Sequence, residues 1–122
     1  MSKIVVVDDS YAELQMIEGY LKAASHTVVS FPNTDKLEDK LASEKPDLIV
    51  MDVVMPGVNG FQATRQIARG ETTKDIPVVI VSTKDQATDR VWGKRQGARD
   101  YLTKPVDENK LIEVIQQYLN AG

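Results

Sequence analysis

The sequence predicts a doubly wound α/β fold: five parallel strands in one sheet, covered by helices on both faces. Short apolar runs alternate five times with longer segments of helical periodicity. The runs Ile4-Val5-Val6-Val7, Leu48-Ile49-Val50-Met51 and Val78-Val79-Ile80-Val81 are apolar throughout, the pattern of strands buried on both faces; strands with one wet face would alternate. Each run also ends on polar groups, namely Asp8-Asp9, Asp52 and Ser82, while Tyr101-Leu102-Thr103 leads to Lys104. In a parallel sheet these positions share one carboxyl edge, where such folds bind and react.

Each element has a local reason. The first strand is expected over about Lys3 to Asp8, and Met16, Ile17, Tyr20 and Leu21 then form one helical stripe. A short second strand covers about Thr27 to Phe31. Asn33 or Thr34 is placed to cap the second helix, which ends near Glu44 ahead of Lys45-Pro46. The third strand is expected from Asp47 to Asp52. Met55-Pro56-Gly57-Val58-Asn59-Gly60 cannot be helical throughout, because proline fixes its own φ and disfavours helix in the residue before it, so it reads as a loop into the third helix. Asp75-Ile76-Pro77 opens the fourth strand, the fourth helix starts near Asp85, and Gly97 ends it. A fifth strand follows at about Arg99 to Thr103. Asp107 caps the fifth helix, on which Leu111, Ile115 and Tyr118 share a face.

The 122 residues fit one domain over 1–122, with no room for a separate output domain. A composition of 42% apolar and 27% charged residues is that of a soluble globule, and a net charge of −3 argues against nucleic-acid binding. No cysteine is present, which excludes disulfides and thiolate metal sites and fits the cytoplasm. The apolar stretches are strand-length, so neither a signal peptide nor membrane insertion is expected. His26, in Ala-Ser-His-Thr, reads as a solvated loop residue. A dinucleotide cofactor is not expected, since acids follow the first strand where a Gly-rich phosphate loop would be needed.

Asp8, Asp9 and Asp52 at one edge would repel unless a cation sat among them, and an oxygen-only donor set suits Mg²⁺. Taken singly, strand-end acids are commonplace: Asp8 and Asp9 could simply end a strand and cap a helix. Taken together with Ser82 and Lys104, they form a set able to accept a phosphoryl group on a carboxylate and contact its oxygens.

The combination Asp8-Asp9, Asp52 with Met55-Pro56-Gly57 and Asn59-Gly60, Ser82, and Tyr101 with Lys104-Pro105 resembles the receiver domain of two-component response regulators. The match is to a stand-alone, CheY-like receiver and covers Lys3 to about Leu119. The resemblance implies the flavodoxin-like strand order 2-1-3-4-5, in which CheY is itself the standard example. It implies Asp52 as phosphoacceptor and Mg²⁺ held by Asp8, Asp9, Asp52 and the backbone carbonyl of Val54. Lys104 would contact the phosphoryl group, with Ser82 and Tyr101 as switch residues that remodel the face of the fourth helix, fifth strand and fifth helix. The stretches Asn59 to Gln66 and Lys84 to Asp107 resemble more closely the single-domain regulators of the chemotaxis-like system that controls type IV pili and twitching motility.

That resemblance implies a histidine kinase as donor, output by contact with a downstream pilus or motility protein or by acting as a phosphate sink, and a monomer that is a signalling protein rather than an enzyme acting on other substrates. A flagellar chemotaxis regulator is the alternative. A small Mg²⁺-dependent phosphatase of the haloacid dehalogenase type is disfavoured, because Val54 stands where such enzymes carry a general-acid Asp. A binding-only pseudo-receiver is disfavoured by the presence of Asp52 and Lys104. Lys84, Arg90, Lys94, Arg95 and Arg99 make the region around the fourth helix basic, and Trp92 among them suggests an interface facing an acidic partner.

Overall fold

A computed structural model describes residues 2–120. The main sheet contains β1 (Lys3–Val7), β2 (Thr27–Phe31), β3 (Leu48–Met51), β6 (Val78–Ser82) and β7 (Asp100–Thr103), all parallel and ordered β2-β1-β3-β6-β7. This is the expected order once the two short strands β4 (Val54–Met55) and β5 (Val58–Asn59) are set aside as a separate antiparallel pair. The helices are α1 (Tyr11–Ala23), α2 (Leu37–Glu44), α3 (Gly60–Arg69), α4 (Ala87–Arg95) and α5 (Glu108–Asn120).

Side chains alternate across a strand, so each central strand feeds two cores. Ile4, Val6, Leu48, Val50, Val79 and Val81 pack with Leu14, Ile17 and Leu21 of α1 and Leu111, Val114 and Ile115 of α5. Val5, Val7, Ile49 and Met51 pack on the other side with Leu37 and Leu41 of α2 and Ala63 and Ile67 of α3. A smaller cluster of Val53, Ile80, Ala98 and Tyr101 lies on the α4 side, with Phe61 against it. Covering both faces is what the unbroken apolar runs require.

The sheet register delivers the polar residues to one edge. Val7 pairs with Met51 and Met51 with Ile80, and Ser82 pairs with Thr103. The ladder continues one residue further: Asp8 N–H donates to the Phe31 carbonyl at 3.1 Å, Asp52 N–H to Val7 at 2.9 Å, and Lys104 N–H to Ser82 at 2.9 Å. Asp8, Asp52 and Lys104 therefore start from backbone held by the sheet.

Three local expectations are corrected. The Met55 to Gly60 segment is not an open loop but the β4-β5 hairpin, closed at Pro56-Gly57 with Gly57 at φ +69°. Asn33 and Thr34 do not cap α2. The Asn33 side chain accepts from Asp35 N–H at 2.9 Å, the Thr34 carbonyl accepts from Leu37 N–H at 3.1 Å, and the helix begins after Lys36 at φ +51°. A local Asx turn captured the Asn33 side chain before it could serve the helix. His26 lies in the loop as expected, yet it is half-buried and both ring nitrogens are shielded without a hydrogen-bond partner among the described residues. That burial, the larger cause, and the positive N-terminus hold its pKa below the usual histidine range.

Asp107 caps α5 as read, accepting from Lys110 N–H at 3.0 Å, and Gly97 at φ +111° follows the end of α4. The Lys104-Pro105 bond is cis. Among the described residues no helix is long and apolar enough to cross a membrane.

Candidate functional site

Asp8, Asp9 and Asp52 come together beyond β1 and β3. Each offers a carboxylate oxygen within 4.8 Å of the others; Asp8 and Asp52 are buried and Asp9 is exposed. Ser10 caps α1, accepting from Glu13 N–H at 3.4 Å, which leaves Asp9 free of that task. Asp8 Oδ1 accepts from Ser10 N–H at 2.9 Å, and Asp52 Oδ1 accepts from Val54 N–H at 3.0 Å. One oxygen of each buried acid is thereby fixed by the loop that follows it.

The other oxygens face Lys104. Its Nζ lies 2.7 Å from Asp8 Oδ2 and 3.4 Å from Asp52 Oδ2, and all three side chains are less than a tenth exposed. Burial raises the Asp52 pKa and the Asp8 charge adds to it, while the Val54 N–H and Lys104 pull the other way without cancelling the rise. Burial alone would lower the Lys104 pKa, but its hydrogen bond to Asp8 and the charges of Asp52, Asp8 and Glu13 more than reverse that. Lys104 stays an ammonium. Because the folded chain holds the Asp52 proton more tightly than the unfolded chain, ionising Asp52 costs stability at neutral pH, a cost absent below the ordinary carboxylate range. A hard cation among the three carboxylates would relieve it, and their all-oxygen chemistry fits one.

Ser82, fully buried, ends β6, and its Oγ accepts from Lys84 N–H at 3.3 Å. Tyr101 on β7 is 2% exposed and donates its hydroxyl to the Lys84 carbonyl at 2.8 Å. Burial raises its phenol pKa, with the Ser82 hydroxyl opposing. The expected residues are thus divided in two groups: Asp8, Asp9, Asp52 and Lys104 form a contiguous ionic cluster, while Ser82 and Tyr101 meet at the β6 to α4 loop. Val54 enters the first group by its N–H, and its side chain is exposed beside the site.

Glu13 and Gly93 were not singled out in the sequence, and Asn59-Gly60 was quoted only as part of a motif, without the part its residues play beside the site. Glu13, one turn into α1, adds negative charge near Lys104, and its Oε2 is buried without a partner among the described residues. Gly60 lets α3 start against the Asp52 loop: a Cβ there would lie 2.3 Å from Val53 Cα and 2.9 Å from the Asp52 carbonyl. Asn59 caps that start, accepting from Phe61 and Gln62 N–H at 3.1 and 3.2 Å. Gly93 plays the same part for α4, where a Cβ would come within 2.9 Å of Ile80 Cδ1 and 3.0 Å of Tyr101 Cδ2. Arg90 was read as part of a basic surface, but its guanidinium turns back to donate to the Tyr101 carbonyl at 3.2 Å and to Thr103 Oγ1, and lies 5.6 Å from the Tyr101 ring centroid. Only a fold that brings α4 over β7 could reveal that.

A parallel sheet of this order with an acid cluster and a buried lysine at its carboxyl edge defines a signalling receiver, and the chain belongs to the response regulator receiver domain family, whose pattern matches residues 4–116. It is 52% identical over 119 residues to the protein PilH of Pseudomonas aeruginosa, a match that covers 98% of each chain. It is 37% identical over 111 residues to the response regulator PleD of Caulobacter vibrioides, of which it spans 24%. Among solved structures it is similar to the chemotaxis protein CheY4 of Vibrio cholerae, with a TM-score of 0.89, 27% identity, and 97% and 98% of the two chains covered. The BeF3-activated receiver domain of Klebsiella pneumoniae RstA gives a TM-score of 0.86 at 29% identity, over 96% and 97% of the chains.

Proposed function

We propose that this protein is a phosphoryl-operated switch of a chemotaxis-like system acting on type IV pili, with Asp52 as the acceptor. The observation that carries the reading is the pairing of one ammonium, Lys104, with two buried carboxylates at 2.7 and 3.4 Å, beside a third carboxylate that remains open to solvent. In the transfer, an Asp52 oxygen attacks phosphorus, the O–P bond forms as the N–P bond to a kinase histidine breaks, and the departing imidazole takes up a proton from solvent. The Val54 N–H fixes the plane of the attacking carboxylate. Lys104 then exchanges part of its contact with Asp8 and Asp52 for the new phosphoryl oxygens.

Asp8, Asp9 and Asp52, with the Val54 carbonyl, would hold Mg²⁺. When bound, it supplies positive charge to the equatorial oxygens of the phosphoryl group. Ser82 is the hydroxyl partner for the phosphoryl group, and its movement would release the Lys84 N–H and disturb the neighbouring Lys84 carbonyl to which Tyr101 is bonded. Local charge at Asp52 thus reaches α4, β7 and α5, the face that meets a downstream protein. The similarity to PilH over nearly the whole length of both proteins supports assigning that target to pilus motility.

The test is intact mass after incubation with Mg²⁺ and acetyl phosphate, with Trp92 emission followed in parallel. A phosphoryl adduct absent from Asp52→Asn and strongly slowed in Lys104→Met is expected. A wild type that binds Mg²⁺ yet forms no adduct would remove Asp52 as acceptor. Expression in a Pseudomonas aeruginosa strain lacking PilH tests the pilus assignment: the wild type should restore twitching zones and Asp52→Ala should not.

A further inference from the structure

Away from the acid edge, α3 and α4 enclose a groove whose chemistry is the opposite of the site's. Two adjoining cavities of about 220 and 370 Å³ share Arg65, Trp92 and Gln96 as walls, so they form one continuous concave surface. Trp92 is 50% exposed, a large aromatic left half wet, and Phe61 lines the same groove. Arg65 and Arg69 reach it from α3 and Arg95 from α4. None of these three arginines has a carboxylate within ion-pair distance among the described residues. The two helices together carry five cations, Arg65, Arg69, Arg90, Lys94 and Arg95, against one acid, Asp89. In a chain of net charge −3 this is a concentrated reversal of sign.

We infer that the α3-α4 groove is a docking surface for an acidic segment of a partner protein, with an apolar side chain of that segment seated beside Trp92. Charge complementarity sets the sign of the occupant, and a Trp ringed by unpaired arginines is the composition of an interface hot spot. The concave shape favours a peptide anchor over a lipid surface, which would call for protruding apolar groups on a flat basic face. The net negative charge of the whole chain opposes a nucleic acid.

This surface is separate from the switching face of α4, β7 and α5, because Arg90 points away from the groove onto Tyr101 and Thr103. Arg65 and Arg69, on the neighbouring helix, take its place. The groove still borders the switch, since Asn59 lines it while capping α3 and Gln96 follows the turn of α4 that holds Gly93 over Tyr101. The inference stands whether or not Asp52 takes a phosphoryl group.

The experiment is an array of short synthetic peptides probed with the labelled full chain: Asp/Glu-rich peptides with one Leu, Phe or Trp, the same peptides without the apolar residue, and the same with Asn and Gln in place of the acids. Selective binding to the first set is expected, falling steeply with salt and accompanied by a shift in Trp92 emission. About tenfold weaker binding is expected for Trp92→Ala and for Arg65→Glu with Arg95→Glu, and unchanged binding for Lys110→Glu on α5. Circular dichroism and thermal melting on each variant separate lost binding from lost folding, since all the altered side chains are exposed. Equal binding to the three peptide sets, or losses no larger in the groove variants than in Lys110→Glu, would overturn the inference. So would stronger groove-dependent binding to phosphatidylglycerol vesicles or to poly(U) RNA than to any acidic peptide.

Discussion

The helices α4 and α5 lie on either side of β7 in the chain, yet they are attached to the molecule by different means. α5 sinks Leu111, Val114 and Ile115 into the largest apolar cluster at 0–3% exposure, where they meet α1 and three central strands. α4 buries only Gly93 and leaves Val91 and Trp92 at 52% and 50% exposure. Each fully buried aliphatic side chain is worth about 1.5–3 kcal/mol, so α5 is anchored by several such contributions and α4 by none. Polar and local contacts hold α4 instead: Gln86 N–H donates to Asp89 at 3.2 Å, and Arg90 grips the Tyr101 carbonyl and Thr103. Elements held in this way open at low free-energy cost. In the switch proposed above, α4 would therefore be the part that moves and α5 its fixed reference.

Truncating an anchor of α5 should produce the largest effect. Leu111→Ala removes a side chain with no exposed surface and should cost about 2–5 kcal/mol, read as a lowered urea midpoint. Val91→Ala, the same kind of change on α4, should stay within about 0.5 kcal/mol. Equal losses at the two positions would mean that α4 shares the core after all.

Gly93→Val should come next. The added Cβ would lie 2.9 Å from Ile80 Cδ1, closer than such atoms approach, and 3.0 Å from Tyr101 Cδ2, a tight contact, and the expected overpacking cost is about 1–3 kcal/mol. Valine's better helix propensity recovers only a few tenths of that. Because the atoms nearest this position belong to β6 and β7, the strain should appear as a lifted α4: red-shifted or quenched Trp92 emission, with little change in amide protection along α5. Unchanged Trp92 emission together with wild-type stability would show that α4 is already loose enough to absorb the methyl groups.

The same contrast explains what the sequence could disclose. β1, β3 and β6 are apolar on both faces, so their identity and buried setting follow from the unbroken apolar runs, and the polar residues at their ends mark one edge. Asp8, Asp9, Asp52 and Lys104 were legible because each is the first polar residue after such a run or close to it. Arg90 was legible only as a charge. Its contact with Tyr101 depends on how closely α4 approaches β7, which Gly93 decides from a position that carries no helical signal of its own. Arg65 and Arg69 were equally hidden as a surface, because the groove they line exists only where α3 and α4, separated by β6 in the chain, come side by side. Asn33 misled, since a side chain suited to capping a helix is just as well suited to closing a turn before it.

Arg90→Met should have the smallest effect on global stability and the most local one. It removes the hydrogen bonds to Tyr101 and Thr103 and the cation held 5.6 Å from the ring, while keeping much of the apolar stem. Arg90 is exposed, so the net loss should be about 1 kcal/mol or less. Native-state hydrogen exchange resolves where it falls. Faster exchange of up to about fivefold is expected along α4 and at the β7 amides near Tyr101, with α5 unaffected, because about 1 kcal/mol is a factor of five in an opening equilibrium. Should α5 amides accelerate by the same factor, the two helices open as one unit and Arg90 is no separate latch. Acceleration confined to α4 and the neighbouring β7 amides would instead identify Arg90 as the contact that sets how often α4 lifts from Tyr101, on a scaffold that α5 keeps in place.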